Sequence, residues 1–156
     1  MISRLIIFNI LLLFIYSCDP NMIYDKYQKT ENGEWGWTDK KIFKVPISDS
    51  IKTYNILINI RHTTEYPKSN LFVFITTIGP DGSSMSDTVE VIVADKRGKW
   101  TGYGFGDIKL ISRLYKKSVI FRRIGEYTFI LEQGMRLPEV PVTDVGLRIE
   151  KYIVTK

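Results

Sequence analysis

Hydrophobic and polar positions alternate along most of the chain. From Lys52 to Arg61, Tyr54, Ile56, Ile58 and Ile60 fall on one face and Asn55, Leu57, Asn59 and Arg61 on the other, the period of a half-buried strand. Leu71 to Ile78 is a continuous apolar, β-branched and aromatic run ended by Gly79-Pro80-Asp81-Gly82. Ser86 to Ala94 then alternates again around Val89, Val91 and Val93, so the two runs predict a hairpin. Asp95-Lys96-Arg97-Gly98 makes the next turn, and Lys99 to Phe105 reads as a short aromatic strand rich in glycine. Glu126 to Glu132 sets Tyr127, Phe129 and Leu131 against Thr128, Ile130 and Glu132, and Asp144 to Val154 sets Val145, Leu147 and Ile149 against Gly146, Arg148 and Glu150. Residues 107–124 break the rule, because Ile108, Ile111, Leu114 and Tyr115 follow helical spacing while Ser118 to Phe121 looks extended; a crossing loop followed by a strand is expected there. About seven to eight short strands with turn signals between them predict an all-β antiparallel sandwich, jelly-roll or immunoglobulin-like in order. Without alternating helices a doubly wound sheet is excluded.

The N-terminus follows a different pattern. Met1 to Arg4 is a short positive region, and Leu5 to Ile15 is apolar except for Asn9, too short for the ~20 residues that span a bilayer, which is the form of a secretory signal peptide. Ile15-Tyr16-Ser17-Cys18 closes it and resembles the lipobox of bacterial lipoproteins, with Ile15 in place of the usual leucine. Cleavage before Cys18 would leave a cysteine carrying a thioether-linked diacylglycerol and an acylated amine, enough buried methylene for a stable membrane anchor. The chain therefore divides into a signal peptide over 1–17, a lipid-anchored tether over 18–32 and a β-sandwich domain over 33–156, starting where Gly33-Glu34-Trp35-Gly36-Trp37 becomes too apolar for a free linker.

Composition narrows the chemistry. The 156 residues fit one domain, and removing 1–17, which hold Arg4 and no acid, leaves 21 basic against 17 acidic groups, too mild an excess to imply nucleic acid. A single cysteine and a single histidine exclude a disulfide framework, a Cys/His zinc site and any centre needing two histidines. Gly102, Gly104 and Gly106 do not match a dinucleotide loop. His62 is expected at the surface of a strand end, and the pairs Asp87 with Glu90 and Glu126 with Glu132 would serve glycoside hydrolysis only if ~5–9 Å apart across a cleft. Asp81, Asp87, Asp95 and Asp107 lie near turns without forming a calcium loop. No catalytic residue, metal or cofactor is expected, nor a small-molecule ligand. Trp100, Tyr103 and Phe105, with Trp35 and Trp37, are the candidate surface for a protein partner or a glycan, since aromatic side chains anchor interfaces and stack on sugar rings. The basic tract Lys109, Arg113, Lys116, Lys117, Arg122, Arg123 is a second candidate.

Taken in order, Cys18, Met22-Ile23-Tyr24-Asp25-Lys26-Tyr27, Trp37, Phe43-Lys44-Val45-Pro46-Ile47 and Tyr54-Asn55-Ile56 resemble the gliding-motility lipoprotein GldH family. The likeness continues through Asn59-Ile60-Arg61, Tyr66-Pro67-Lys68-Ser69-Asn70-Leu71-Phe72, Gly79-Pro80-Asp81-Gly82, Asp87-Thr88-Val89-Glu90, Gly98-Lys99-Trp100, Gly104 to Ile108 and Asp144 to Lys151. The resemblance implies a lipoprotein of the Bacteroidota cell envelope, held in the outer membrane by the lipid on Cys18. It would work with other envelope proteins of the gliding apparatus and the associated type IX secretion system. It brings no enzymatic residues, and a carbohydrate-binding envelope lipoprotein is the alternative reading.

Overall fold

A computed structural model of the protein describes residues 19–153; the expected signal peptide and Cys18 lie outside the described residues. Every regular element among them is a strand: β1 (Met22–Lys29), β2 (Trp35–Gly36), β3 (Lys41–Ile47), β4 (Thr53–Thr63), β5 (Asn70–Ile78), β6 (Ser84–Ile92), β7 (Ile108–Ile120), β8 (Gly125–Gln133), β9 (Glu139–Val140) and β10 (Val142–Lys151). Two four-stranded sheets, ordered β1-β10-β4-β7 and β3-β8-β5-β6, form the sandwich, with β2 and β9 as a separate two-stranded ribbon. All pairings are antiparallel.

The strand order decides between the two sandwiches left open by the sequence. The first half of the chain pairs with the second in reverse: Met22 opposite Glu150, Trp35 opposite Val140, Lys41 opposite Leu131, Tyr54 opposite Val119, down to the β5–β6 hairpin at Ile78 and Ser84. One long ribbon with its tip at residues 79–83 has thus been rolled into two sheets, which is the jelly roll. Its apolar faces pack inward as the alternation requires. Tyr54, Ile56, Ile58 and Ile60 of β4 and Val145, Leu147 and Ile149 of β10 meet Phe43 and Val45 of β3, Leu71, Val73 and Ile75 of β5 and Phe129 and Leu131 of β8, all buried.

Several expectations need correction. The tether is largely absent, because Met22–Lys29 is a sheet strand; with only Tyr24 buried it reads as polar, as an edge strand can. The folded domain therefore begins at least ten residues before Gly33. Asn32-Gly33, with φ of 51° and 80°, is a two-residue hairpin turn closed by the Glu34 N–H donating to the Glu31 carbonyl at 2.9 Å. β3 was hidden by Pro46, which is tolerated on an edge strand because no ladder partner needs its missing N–H. The crossing loop expected within 107–124 is instead most of a thirteen-residue strand, β7. Two register shifts against β4, between Tyr54 and Ile56 and between Ile56 and Leu57, insert extra residues into β7 and switch its faces, which destroys the period of two. The expected strand at Lys99 to Phe105 is a loop held by two isolated bridges, Ala94 with Trp100 and Tyr103 with Leu110.

The roll sends every connection to one of two ends. Segments 48–52, 79–83 and 121–124 gather at the end where β1 begins and β10 finishes; 30–40, 64–69, 93–107 and 134–141 gather at the other. The open sides between the sheets are pinned across. Gln28 donates through Nε2 to the Ile42 carbonyl and Lys41 Nζ to the Lys29 carbonyl at 2.7 Å on one side, while Tyr115 Oη donates to Asp87 Oδ2 at 2.6 Å on the other.

Candidate interaction surface

The segment 93–107 sits at the end remote from β1's start and is built to hold an aromatic tip. Gly104 has φ of 150°, and a Cβ there would lie 2.5 Å from the Ile108 carbonyl oxygen, so only glycine fits. Tyr103 and Leu110 exchange backbone hydrogen bonds at 3.1 and 2.8 Å, and Lys109 Nζ donates to the Gly104 and Gly106 carbonyls at 3.1 and 2.9 Å. The Thr64 N–H donates to the Asp107 carbonyl at 2.8 Å and ties the base of the loop to the β4–β5 connection. Tyr103, at 68% exposure, and Phe105, at 101%, are thereby presented on a fastened loop instead of on a slack one.

The five aromatic candidates do not form one surface. Trp35 is fully buried in the core, its indole N–H donating to the Asp39 carbonyl at 2.8 Å, so it presents no face to a partner or sugar. Trp100 is half-buried against the core, with its ring centroid 5.1 Å from that of His62. Trp37 is exposed, its indole N–H fixed by the Met135 carbonyl at 2.8 Å. His62 is also a correction. It lies inside, between Trp100 and Tyr66, with Nδ1 2.8 Å from the Thr63 carbonyl and no hydrogen-bond partner for Nε2 among the described residues. Burial pulls its pKa below the ordinary value, helped by the Lys109 charge and opposed by the Thr63 carbonyl.

The carboxylate pairs are separated as well. Asp87 points inward to Tyr115 and Lys116, which hold its carboxyl below the usual range, while Glu90 lies on the other face and accepts from Asn70. Glu126 and Glu132 share a strand six residues apart, about 20 Å at ~3.3 Å per residue, and each pairs with a lysine, Lys44 and Lys40. Among the basic tract, Lys109, Lys116 and Arg123 are engaged with the loop carbonyls, Asp87 and Asp81, which leaves Arg113, Lys117 and Arg122 facing solvent. An apolar cleft of about 550 Å³ opens between the sheets beside Ile120 and Arg122, lined by Ile56, Val119, Phe121 and Phe129.

A polar face escaped the sequence reading. Outward residues of β1, β10 and β4 assemble around Tyr27, whose ring lies over Gly146, where a Cβ would come within 2.8 Å of two ring carbons. The Arg61 guanidinium sits 4.4 Å from the Tyr27 centroid, Ser112 donates to Asn59 Oδ1 at 2.7 Å, and Arg148 pairs with Asp25 at 3.1 Å, Glu150 at 2.9 Å and Asp19. No local signal marks it, because Gly146 and the Tyr27 ring that covers it lie more than a hundred positions apart.

A family model described as GldH lipoprotein matches residues 22–149, from the start of β1 into β10. The chain belongs to the GldH family. Among curated GldH relatives, the gliding motility lipoprotein GldH homolog of Christiangramia forsetii is 37% identical over 153 residues, covering 93% of each chain. The gliding motility lipoprotein GldH of Flavobacterium johnsoniae is 35% identical over 147 residues, covering 89% of this chain and 91% of its own. Solved structures similar to this GldH-family chain include the VP2 subviral particle of infectious bursal disease virus, at a TM-score of 0.38 and 18% identity over 85% of this chain and 31% of that one. Tobacco streak virus coat protein matches at 0.29 and 9%, over 90% and 92%. The jelly roll rests on the strand order, not on these loose superpositions.

Proposed function

We propose that this GldH-family protein is a non-enzymatic interaction component of the gliding machinery and its type IX secretion system, held in the outer membrane through lipid on Cys18. The observation that carries the reading is the family match across the whole sandwich, joined to a fastened loop that offers Tyr103 and Phe105 to a partner. Anchoring confines that loop to one layer of the envelope, which raises its effective concentration for any partner held in the same layer. A modest interface then suffices.

The test is a crosslinking pull-down from envelope fractions with the native chain, Cys18→Ala, and Tyr103→Ala combined with Phe105→Ala. Recovery of gliding or secretion proteins by the native chain, with loss in both variants, is the expected result. Equal recovery by the loop variant would move the contact elsewhere on the domain. Glycan recovered without protein would favour carbohydrate binding, for which a platform of Trp35, Trp37 and Trp100 is not assembled.

A further inference from the structure

The segment between the lipidation position and the first strand is not slack. Asp19 caps it, accepting from the Asn21 N–H at 3.0 Å through its side chain and from the Met22 N–H at 3.3 Å through its carbonyl, while its carboxylate pairs with Arg148. The Lys151 N–H donates to the Asn21 carbonyl at 2.8 Å and Lys151 Nζ to the Pro20 carbonyl at 3.2 Å. Cys18 precedes Asp19 directly, so a lipid on it starts about 3.8 Å of chain from a residue already fixed to the sandwich. An anchor so close brings one end of the domain to the bilayer.

That end has the chemistry of a lipid interface. Ile51, Ile120, Ile124 and Ile153 are exposed there, together with Met22 and Met85. A groove of about 510 Å³ between Asn21, Ile51 and Ile153 continues from the anchoring segment, and the apolar cleft opens beside Ile120. Lys117 and Arg122, without a carboxylate partner among the described residues, stand beside these side chains; Lys52, Arg123 and Lys151 lie round them, held by Asp49, Asp81 and the Pro20 carbonyl. Isoleucines that water disfavours, flanked by long cations that can reach headgroup phosphates, are the pattern of a surface seated in the interfacial layer.

We infer that the end of the jelly roll formed by segments 19–21, 48–52, 121–124 and 152–153 docks on the anionic surface of the bilayer that holds the lipid, with Ile51, Ile124 and Ile153 entering the interface. The domain is then oriented as well as tethered, and the Phe105 loop is held away from the bilayer. The inference rests on the lipid-anchor reading of Cys18.

The test uses the mature, lipidated full chain in vesicles of phosphatidylethanolamine and phosphatidylglycerol carrying a bilayer-embedded quencher. Lipidation occupies the only native thiol, so Ile51→Cys, Ile124→Cys and, at the opposite end, Lys96→Cys each supply a single site for a fluorophore. Strong quenching at 51 and 124 with none at 96 is expected. Lack of quenching at 51 and 124, or equal quenching at all three, overturns the docking while leaving the anchor intact. Mass measurement of the lipid on Cys18 separates the two: a chain that carries none overturns both.

Discussion

His62 shows what burial does to a single side chain. Its folded-state pKa lies below 6.5 because the interior disfavours the imidazolium. The unfolded chain takes a proton near pH 6.5 and the folded chain does not, so this contribution to stability is complete above that pH and is lost as pH falls through it. The depressed carboxylates act lower: Asp49, held by the Lys52 ammonium and two backbone N–H groups, is brought from 3.8 to about 2. Between pH 7.5 and 5.5 the melting temperature should therefore fall through His62, and His62→Phe should flatten that slope. The sequence reading placed His62 at the surface because it ended the strand at Arg61; the alternation of Tyr54, Ile56, Ile58 and Ile60 carried one step further reaches 62 and the interior. Gly146 was not legible, because its constraint is the Tyr27 ring more than a hundred residues away. Gly146→Ala should cost about 1–3 kcal/mol by overpacking, read from urea midpoints, and much less in a Tyr27→Ala background.

At the scale of elements, a clear alternation or a continuous β-branched and aromatic run is a sound guide, and β4, β5, β6, β8 and β10 show one or the other. β1 and β3 were missed: the edge strand β1 buries only Tyr24, and in β3 outward Ile42 and Pro46 blur the inward set Phe43, Val45 and Ile47. β7 was missed because each bulge exchanges its inner and outer faces. The bulge opposite Tyr54 to Ile56 carries Ser118 at φ of 55°, with its N–H donating to Asn55 Oδ1 at 3.2 Å. Ser118→Gly should leave stability unchanged or raise it by about 0.5 kcal/mol, whereas Ser118→Val should lower it by ~1–3 kcal/mol through strain at a β-branched residue. Thermal unfolding of both variants checks the sign. The segment after β6 stood out as a cluster of aromatics and glycines but was read as a strand; that it is a fastened loop, with Trp100 packed on the core and Phe105 exposed, was not legible, because both follow from where the segment crosses the end of the sandwich.

At the scale of the molecule, no short stretch is self-sufficient. Each sheet takes strands from both halves of the ribbon, so residues 19–80 hold β1 to β5 without a ladder partner for any of them. A chain cut in the 79–83 turn should give two fragments that are unfolded alone and recover the β-sheet circular dichroism signal when mixed one to one. The jelly-roll order lay beyond sequence reading for the same reason, since its pairings join residues up to about 130 positions apart and leave no local mark. The fixing of Asp19 to Asn21 onto β10 has a mechanical side. A pull between the N-terminal end and the loops at the far end acts along the strands, and it loads the β1–β10 ladder from Met22–Glu150 to Lys29–Asp144 in shear, all rungs together, with Arg148 bracing Asp19 and Asp25. Peeling would break those rungs one at a time. The sandwich is thus stiff along the axis that joins its two loop-bearing ends.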